Sequence, residues 1–267
     1  MGAAKFSNAF RLSLRAYEKD LEKDVLDKGE VKVPSLGPDQ GRHKKLHYLA
    51  DYSRMVIVGR RKFASLFDRS KFPIIVGGDC GMILATLPTL MKAYPNLNLI
   101  WFDAHGDYNT PETSPSSFIG GMLLALATGL FELPGLESES FIASDRVALL
   151  ATRDLDPGEK RNIKTSSLFH RTYRRGRLVR DVDTFLNRTD GEVMVHLDVD
   201  ALDPSVIPAV NFPVPNGPSI DEVLQSMLLV KESGRLCAIE VASLDVLKDH
   251  ESNSTRQIAQ LTGTLLS

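Results

Sequence analysis

Five short apolar runs, each ending in polar residues, are the feature that most constrains the fold of this chain. They are FPIIVGGDC (72–80), LNLIWFDAHGD (97–107), RVALLATRDLD (146–156), EVMVHLDVDALD (192–203) and LCAIEVASLD (236–245). Each run is apolar throughout its first part, as strands are when both faces of their sheet are covered. The pattern therefore predicts five strands of a buried sheet.

Helix-length segments with apolar residues spaced near 3.6 lie between these runs. They are MILATLPTLMKAY, FIGGMLLALATGLF, RLVRDVDTFLN and PSIDEVLQSMLLVKESG. Two further long helices are predicted upstream, over about 7–26 and 42–68. Alternating strands and helices indicate an α/β fold with a mainly parallel sheet and helices on both faces. We interpret residues 1–267 as a single domain.

Composition and charge exclude several classes of protein. A hydrophobic fraction of 43% with 25% charged residues is ordinary for a globular chain. A net charge of −2 gives no reason to expect a nucleic-acid or anionic-membrane partner. No run of about 18 apolar residues predicts a membrane span. Two cysteines and an amphipathic, charged N-terminus without signal-peptide character predict a cytoplasmic protein.

The segment RTYRRGR, which begins at Arg171, is locally basic. Such runs are most often solvated loops or subunit contacts, and we favour that interpretation over a specific anion site.

Carboxylates, a thiol and an imidazole follow the predicted strands. In open parallel α/β sheets, ligands bind beyond the carboxyl ends of the strands. Because side chains alternate along an extended chain, the spacing of two in DAHGD and DVD turns the named residues to the same side. These groups are therefore expected to face one another.

A buried carboxylate cluster needs compensating charge. Unpaired, these groups would take up protons, whereas a pair of divalent cations stabilises the ionised forms. Aspartate and histidine suit Mn²⁺ and, less specifically, Zn²⁺ or Ni²⁺, and two such ions activate a water molecule. A DxD motif alone also marks turns and occurs in nucleotide-sugar transferases, so the motifs favour a metal site but leave the substrate open.

The order and spacing of five motifs resemble the ureohydrolase superfamily of arginases and agmatinases, and the arginases within it most closely. The motifs are GGDCG, WFDAHGDYNTPETSPSS, ATRDLDPGE, HLDVDALDPSVIP and AIEVASLD, over roughly residues 72–245. The resemblance implies a three-layer α/β/α domain that binds two Mn²⁺ ions and hydrolyses a guanidinium group. It also implies homo-oligomers, either trimers or hexamers.

The same resemblance assigns metal ligands. Asp103 and Asp198 would bridge both ions. Asp107 would complete the shell of the first ion and act in catalysis, while His105 and Asp200 would hold the second.

Cys80 stands where the GGDH motif of the superfamily supplies a histidine to the first ion. A thiolate is a softer ligand than imidazole, so Cys80 would shift the preference of that ion site toward Zn²⁺.

Residues that recognise the substrate are assigned in the same way. Asn109 and Ser116 match the arginase residues that hold the α-carboxylate of the substrate. Asp156 matches the aspartate that meets the α-amino group, and Glu159 follows it as in arginases. Glu240 matches the glutamate that binds the guanidinium and is the second expected catalytic residue. The resemblance therefore implies a guanidino α-amino acid as the small-molecule substrate.

The chain departs from the arginase pattern at Cys80 and again at Gly120, where arginases carry a histidine thought to shuttle protons. Both changes resemble the Nω-hydroxy-L-arginine hydrolase of the D-cycloserine pathway. The expected products are therefore ornithine with urea from L-arginine, or with hydroxyurea from Nω-hydroxy-L-arginine.

The N-terminus also departs from the arginase pattern, because the sequence predicts a helix where members of the family usually have their first strand.

The alternative to an active enzyme is a catalytically impaired arginase-like protein that serves as a regulator or binding subunit.

Overall fold

The structure is a computed structural model that describes residues 5–18, 25–32, 46–136 and 141–266. Its described residues form one sheet of six parallel strands in the order β1-β6-β5-β2-β3-β4. The strands are β1 (Ile74–Val76), β2 (Asn98–Phe102), β3 (Val147–Thr152), β4 (Phe169–Thr172), β5 (Val193–Asp198) and β6 (Leu236–Ala242). The five predicted runs each contain one strand, and the predicted parallel sheet is confirmed.

Eight α-helices accompany the sheet in the described part of the chain. They are α1 (Phe6–Glu18), α2 (Leu49–Leu66), α3 (Ile83–Ala93), α4 (Leu123–Ala127), α5 (Pro157–Thr165), α6 (Leu178–Leu186), α7 (Ile220–Glu232) and α8 (Asn253–Leu266). A hydrophobic core on one face of the sheet contains side chains from α1, α6, α7 and α8. The core on the other face contains side chains from α2, α3, α4 and α5. The predicted three-layer α/β/α fold is confirmed.

Several predicted boundaries are wrong. The first helix ends at Glu18 and residues 25–32 are irregular, although the prediction extended to 26; residues 19–24 lie outside the described part. The second helix begins at Leu49, and residues 46–48 are not helical; predicted residues 42–45 lie outside the described part. In the segment FIGGMLLALATGLF only Leu123–Ala127 is α-helical, and a 3₁₀ turn over Ile119–Met122 precedes it. Within the described residues no strand precedes β1.

Strand β4 was not predicted, because FHRT lacks an apolar run. It is an edge strand whose burial falls from buried Phe169 to exposed Arg171 and Thr172. The start of the basic segment RTYRRGR is therefore part of the sheet and not a loop.

The order of the strands assembles the candidate site. β1, β6, β5 and β2 are consecutive neighbours, so the loops that follow them open side by side at the carboxyl edge of the sheet. No helix in the described residues has the length and hydropathy needed to cross a membrane.

Candidate active site

Two groups of potential metal ligands meet at this edge and share Asp103. Ligand atoms of Cys80, Asp103 and Asp107 lie within 4.8 Å of one another, as do those of Asp103, His105 and Asp200. All of these residues except His105 are buried. The structure therefore brings five of the six predicted ligands together around one carboxylate.

Asp103 is held in place by two donors. The indole Nε1 of Trp101 donates to Oδ2 at 2.9 Å, and the backbone N–H of His105 donates to Oδ1 at 2.7 Å. Burial raises the pKa of Asp103, but the contacts with His105 outweigh it and leave that pKa below its usual value. The shared carboxylate is thus ionised and fixed.

Asp198, the sixth predicted ligand, contacts Cys80 directly. The Cys80 thiol donates to Oδ2 of Asp198 at 2.8 Å, and Ser243 donates to the same oxygen. The other carboxylate oxygen accepts the backbone N–H of Asp200 at 2.9 Å. Burial and the charges of Asp200 and Asp103 raise the pKa of Asp198 well above its usual range. Burial, together with the charge of Asp198, likewise raises the pKa of Cys80.

Asp107 has a strained backbone, with φ of 48° in the left-handed region that aspartate seldom adopts. Its carbonyl accepts the N–H of Ala125 at 3.1 Å, which holds the loop after β2 against α4. Burial, and then the charges of Asp103 and Asp198, raise the pKa of Asp107 well above its usual value. Strain of this kind concentrates at functional sites.

His105 lies between two carboxylates. Its Nδ1 is 3.3 Å from Oδ1 of Asp103 and 3.3 Å from Oδ2 of Asp200. Burial lowers the pKa of His105, but hydrogen bonds to the two aspartates raise it to about 12.

The donor set fits divalent cations. The raised pKa values of Asp107 and Asp198 show a surplus of buried carboxylates that a single imidazole does not offset. Carboxylates with imidazole suit Mn²⁺, and the thiol adds a ligand that Zn²⁺ prefers.

Asn109 and Ser116, predicted to bind the α-carboxylate, lie on the loop after β2, and Asp156 lies next to that loop at the start of α5. The Asn109 side chain donates to Oδ2 of Asp156 at 3.0 Å and accepts the Thr113 hydroxyl at 3.1 Å. Ser116 is exposed and accepts the N–H of Phe118 at 3.3 Å. The predicted carboxylate-binding and amine-binding groups are therefore directly linked through Asn109 and Asp156.

Glu159, in the first turn of α5, holds the loop after β2 in place. It is buried, and it accepts the N–H of Tyr108 at 2.8 Å and that of Asp156 at 3.2 Å. A Cβ atom at Gly106 would lie only 2.5 Å from Cδ of Glu159, so glycine permits the approach. Burial raises the pKa of Glu159 to about 7. Its contacts position the loop that carries Asn109.

Glu240 lies inside the sheet and is fully buried. The Thr86 hydroxyl donates to Oε2 at 2.7 Å, and Nδ1 of His196 lies 3.0 Å from Oε1. The His196 ring stacks on Trp101 with centroids 3.8 Å apart, and Trp101 in turn donates to Asp103. Both carboxylate oxygens of Glu240 are therefore engaged within the protein.

Arg153 is a structural residue that the sequence analysis did not single out. Its guanidinium donates to the carbonyl groups of Asp200 at 3.0 Å, Ala201 at 2.9 Å and Val214 at 2.8 Å. It therefore ties the end of β3 to the loop after β5 that carries Asp200. A basic residue directly after a buried strand was the available sequence signal.

An aromatic wall, formed by Tyr48, Phe118 and Phe212, borders the metal-ligand cluster. Phe118 contacts both other rings with centroid distances of 6.1 and 6.2 Å, and Phe212 contacts the ring of His105 at 6.2 Å. A Cβ atom at Gly120 would lie 2.2 Å from the Phe118 ring. The Phe118 ring thus occupies the space next to position 120.

A parallel sheet with a buried cluster of carboxylates, imidazole and thiol at its strand ends is the arrangement expected of a metal-dependent hydrolase. The sequence matches the Arginase family over residues 1–267, and the chain belongs to that family. The resemblance inferred from the motifs is confirmed.

Individual relatives agree with this assignment. An arginase of Staphylococcus aureus (strain COL) is 31% identical over 257 residues, which cover 92% of this chain and 85% of that protein. The crystal structure of an arginase from Bacillus cereus superposes with a TM-score of 0.88 at 28% identity, covering 100% of this chain and 92% of that one. An Entamoeba histolytica arginase in complex with L-ornithine gives 0.87 at 25% identity, covering 100% and 93%. The roles of individual site residues stay predictions.

Proposed function

We propose that this enzyme hydrolyses the guanidinium group of an arginine-type α-amino acid. L-Arginine would give ornithine and urea, and Nω-hydroxy-L-arginine would give ornithine and hydroxyurea. The observation that carries the proposal is the hydrogen bond that joins Asn109, on the loop that also supplies Asp103 and Asp107, to Asp156 at the start of α5. Relatives named arginases, one of them bound to L-ornithine, support an amino-acid substrate.

The proposal includes two divalent metal ions, Mn²⁺ first and Zn²⁺ as the alternative that Cys80 favours. Bound there, such ions would lower the pKa of a coordinated water molecule and polarise the substrate. Within the described residues the proposed ligands are Cys80, Asp103, His105, Asp107, Asp198 and Asp200.

The chain's own groups have distinct tasks in this reaction. Asp107 would accept the proton of the attacking water and pass it to the departing nitrogen of ornithine. This task matters more here because Gly120 supplies no side chain for proton transfer.

Recognition of the substrate divides between the loop and the sheet. Asn109 and Ser116 would bind the α-carboxylate, and Asp156 the α-amino group. Glu240 would bind the guanidinium by exchanging a contact with Thr86 or His196 for one with the substrate. Glu159 would act through the loop rather than on the substrate.

We also propose that the protein forms trimers or hexamers, on the strength of the family resemblance, and that it acts in the cytoplasm, as its low cysteine content predicts. Sedimentation velocity of the purified chain tests the oligomeric state, and a monomer would contradict it.

The decisive experiment measures urea and hydroxyurea release from L-arginine, Nω-hydroxy-L-arginine and agmatine after loading with Mn²⁺ or Zn²⁺. Agmatine lacks the α-carboxylate, so we expect it to be the poorest substrate. Ser116→Ala, which removes a proposed contact to the α-carboxylate that agmatine lacks, should raise KM for the amino acids more than it changes KM for agmatine. Equal turnover of agmatine would contradict the proposed amino-acid specificity, and no product from any substrate would contradict the function.

A further inference from the structure

A cavity of about 600 Å³ opens between α5, β4 and α6, on the β4 edge of the sheet. Its apolar side includes Leu155 and Ile163, and none of the proposed metal ligands or substrate-binding residues lines it. A volume of this size suits a small molecule. The cavity is therefore separate from the active site, although α5 borders it and begins next to Asp156.

The cavity is strongly basic. Lys160, Lys164, Arg171 and Arg188 line it, against one acidic residue, Asp145. Within the described part of the chain, none of the four basic side chains makes an ion pair with a carboxylate. A concave surface on which positive charge is in excess attracts anions and raises their local concentration.

Two of the four basic groups are held in place by an aromatic ring. The guanidinium carbons of Arg171 and Arg188 lie 4.4 and 5.2 Å from the centroid of the Phe169 ring. Arg171 also donates to the carbonyl of His170 at 2.8 Å. Ordering these long side chains before binding reduces the entropy that a ligand must overcome. Guanidinium groups bind carboxylate and phosphate oxygens in a bidentate manner.

The aromatic ring itself is unavailable to a ligand. Phe169 is buried, and guanidinium groups cover it, so its ring offers a nucleobase no open face on which to stack. The recognition chemistry is consequently that of oxyanion groups and not of an aromatic ligand.

We propose that this cavity binds a small molecule with at least two negatively charged oxyanion groups, held by Arg171 and Arg188 with Lys160 and Lys164. This assigns a function to the start of the basic segment RTYRRGR, and it departs from the solvated loop or subunit contact that the sequence favoured. The proposal concerns a site apart from the hydrolytic one.

Calorimetric titration of the full chain, loaded with Mn²⁺, tests the proposal with ethane-1,2-disulfonate as the probe. Sulfonates keep their charge at all accessible pH values and bind metals weakly, so the active site does not contribute. We expect one saturable site per chain. Inorganic phosphate and succinate, titrated separately, then distinguish a phosphate-bearing ligand from a dicarboxylate.

Paired variants locate the site. The double variant Arg171→Gln and Arg188→Gln should weaken binding of the probe by about tenfold or more, since the charged hydrogen bonds of two guanidinium groups to the oxyanions are lost. Lysine at both positions should restore only part of the affinity, because it lacks the planar fork. The matched control is Arg174→Gln with Arg175→Gln, which removes two charges from the same segment outside the cavity and should change affinity less than about twofold.

Three outcomes would overturn the assignment. Absence of saturable binding of the disulfonate is one, and equal weakening in the control variant is another, because it indicates nonspecific attraction. The third is a change of oligomeric state in the Arg171 and Arg188 variant without any loss of anion binding, which would make this face a subunit contact.

Discussion

Gly120 shows at the scale of one residue how the site differs from the pattern expected of arginases. The space that a side chain at position 120 would occupy is filled by the ring of Phe118, which is part of the aromatic wall. A side chain at 120 and the present position of Phe118 exclude each other.

Gly120→Ala should therefore destabilise the protein by about 1–3 kcal/mol, as overpacking does. Added to Phe118→Ala, the same change should cost much less, giving a coupling energy in a double-mutant cycle. Gly121→Ala is the matched control, because a Cβ there meets no atom within 4 Å. Urea denaturation measures the unaltered protein, the two single variants, their double variant and the control, and additive effects at 118 and 120 would contradict the packing argument.

We predict that Cys80 influences which metal the site prefers. The thiol must lose the proton that it donates to Asp198 before it can bind a cation, and the resulting thiolate favours Zn²⁺ over Mn²⁺. We expect Cys80→His to move the ratio of bound Mn²⁺ to Zn²⁺ toward manganese by about tenfold or more. Metal analysis after dialysis against both ions gives the ratio. Cys237→Ser, which changes the other cysteine, should leave it unaltered, and an unchanged ratio in Cys80→His would place the thiol outside the metal shell.

At the scale of elements, Arg153 joins the ends of β3 and β5 through backbone carbonyls. We expect Arg153→Gln to lower the free energy of unfolding by about 3 kcal/mol, because charged hydrogen bonds to partly buried carbonyl groups are lost. Metal affinity should fall as well, since the loop carrying Asp200 loses its anchor. Urea denaturation and Mn²⁺ titration measure the two effects. Arg161→Gln, an exposed change on α5, serves as control, and similar behaviour of the two variants would refute the anchoring role.

Glu159 links the start of α5 to the loop after β2, and this link has a pH dependence. Burial raises its folded-state pKa to about 7, whereas the ordinary value is 4.5. The folded protein therefore keeps a proton that the unfolded chain has already lost between these values. The stability that Glu159 contributes is greatest at low pH and falls as the pH rises toward 7.

Glu159→Gln removes this titration. The unaltered protein should therefore lose free energy of unfolding relative to the variant as the pH rises from 5 to 8. The loss should be at most about 1.4 kcal/mol per pH unit. Urea midpoints measured in the presence of EDTA report the difference. A constant difference across the range would show that Glu159 does not titrate there.

Over the whole molecule, metal loading is expected to stabilise the fold, because the ligands come from loops after several strands. At a hundredfold excess over the dissociation constant, Mn²⁺ should add about 2.7 kcal/mol, or about 5 to 10 °C in Tm. Scanning calorimetry before and after EDTA treatment measures the change. Asp103→Asn alters the carboxylate shared by both ligand groups. In this variant, Mn²⁺ should raise Tm only slightly or not at all.

Much of this architecture follows from local patterns. The apolar runs predicted β1, β2, β3, β5 and β6, and the carboxylates after them predicted the ligand cluster, because parallel strands end at a common edge. Edge strand β4 was not predicted, because half of it faces solvent. Helix α8 was not predicted, because several of its buried positions hold small polar residues such as Ser254, Thr255 and Thr262.

Local sequence patterns could not predict contacts that depend on how neighbouring strands are aligned. The pairing of His196 with Glu240 arises from the alignment of β5 with β6, and no spacing along the chain specifies it. The same holds for Arg153, whose acceptors lie about 50 to 60 residues away. The His196 contact and the Arg153 contacts fix the positions of predicted site residues. The types of those residues do not reveal such supporting contacts.

The pairing of β1 with β6 has a consequence for how the protein reaches its native state. Ile74 lies beside Ile239, and Cys80 lies near Ser243, 163 residues further along the chain. Contacts of such long sequence separation slow folding, because loop closure must precede them. A chain still emerging from the ribosome lacks β6 until Ala242 has been made, so Cys80 and Asp198 stay without their contacts to Ser243 until more than 40 residues after Asp198 have been added.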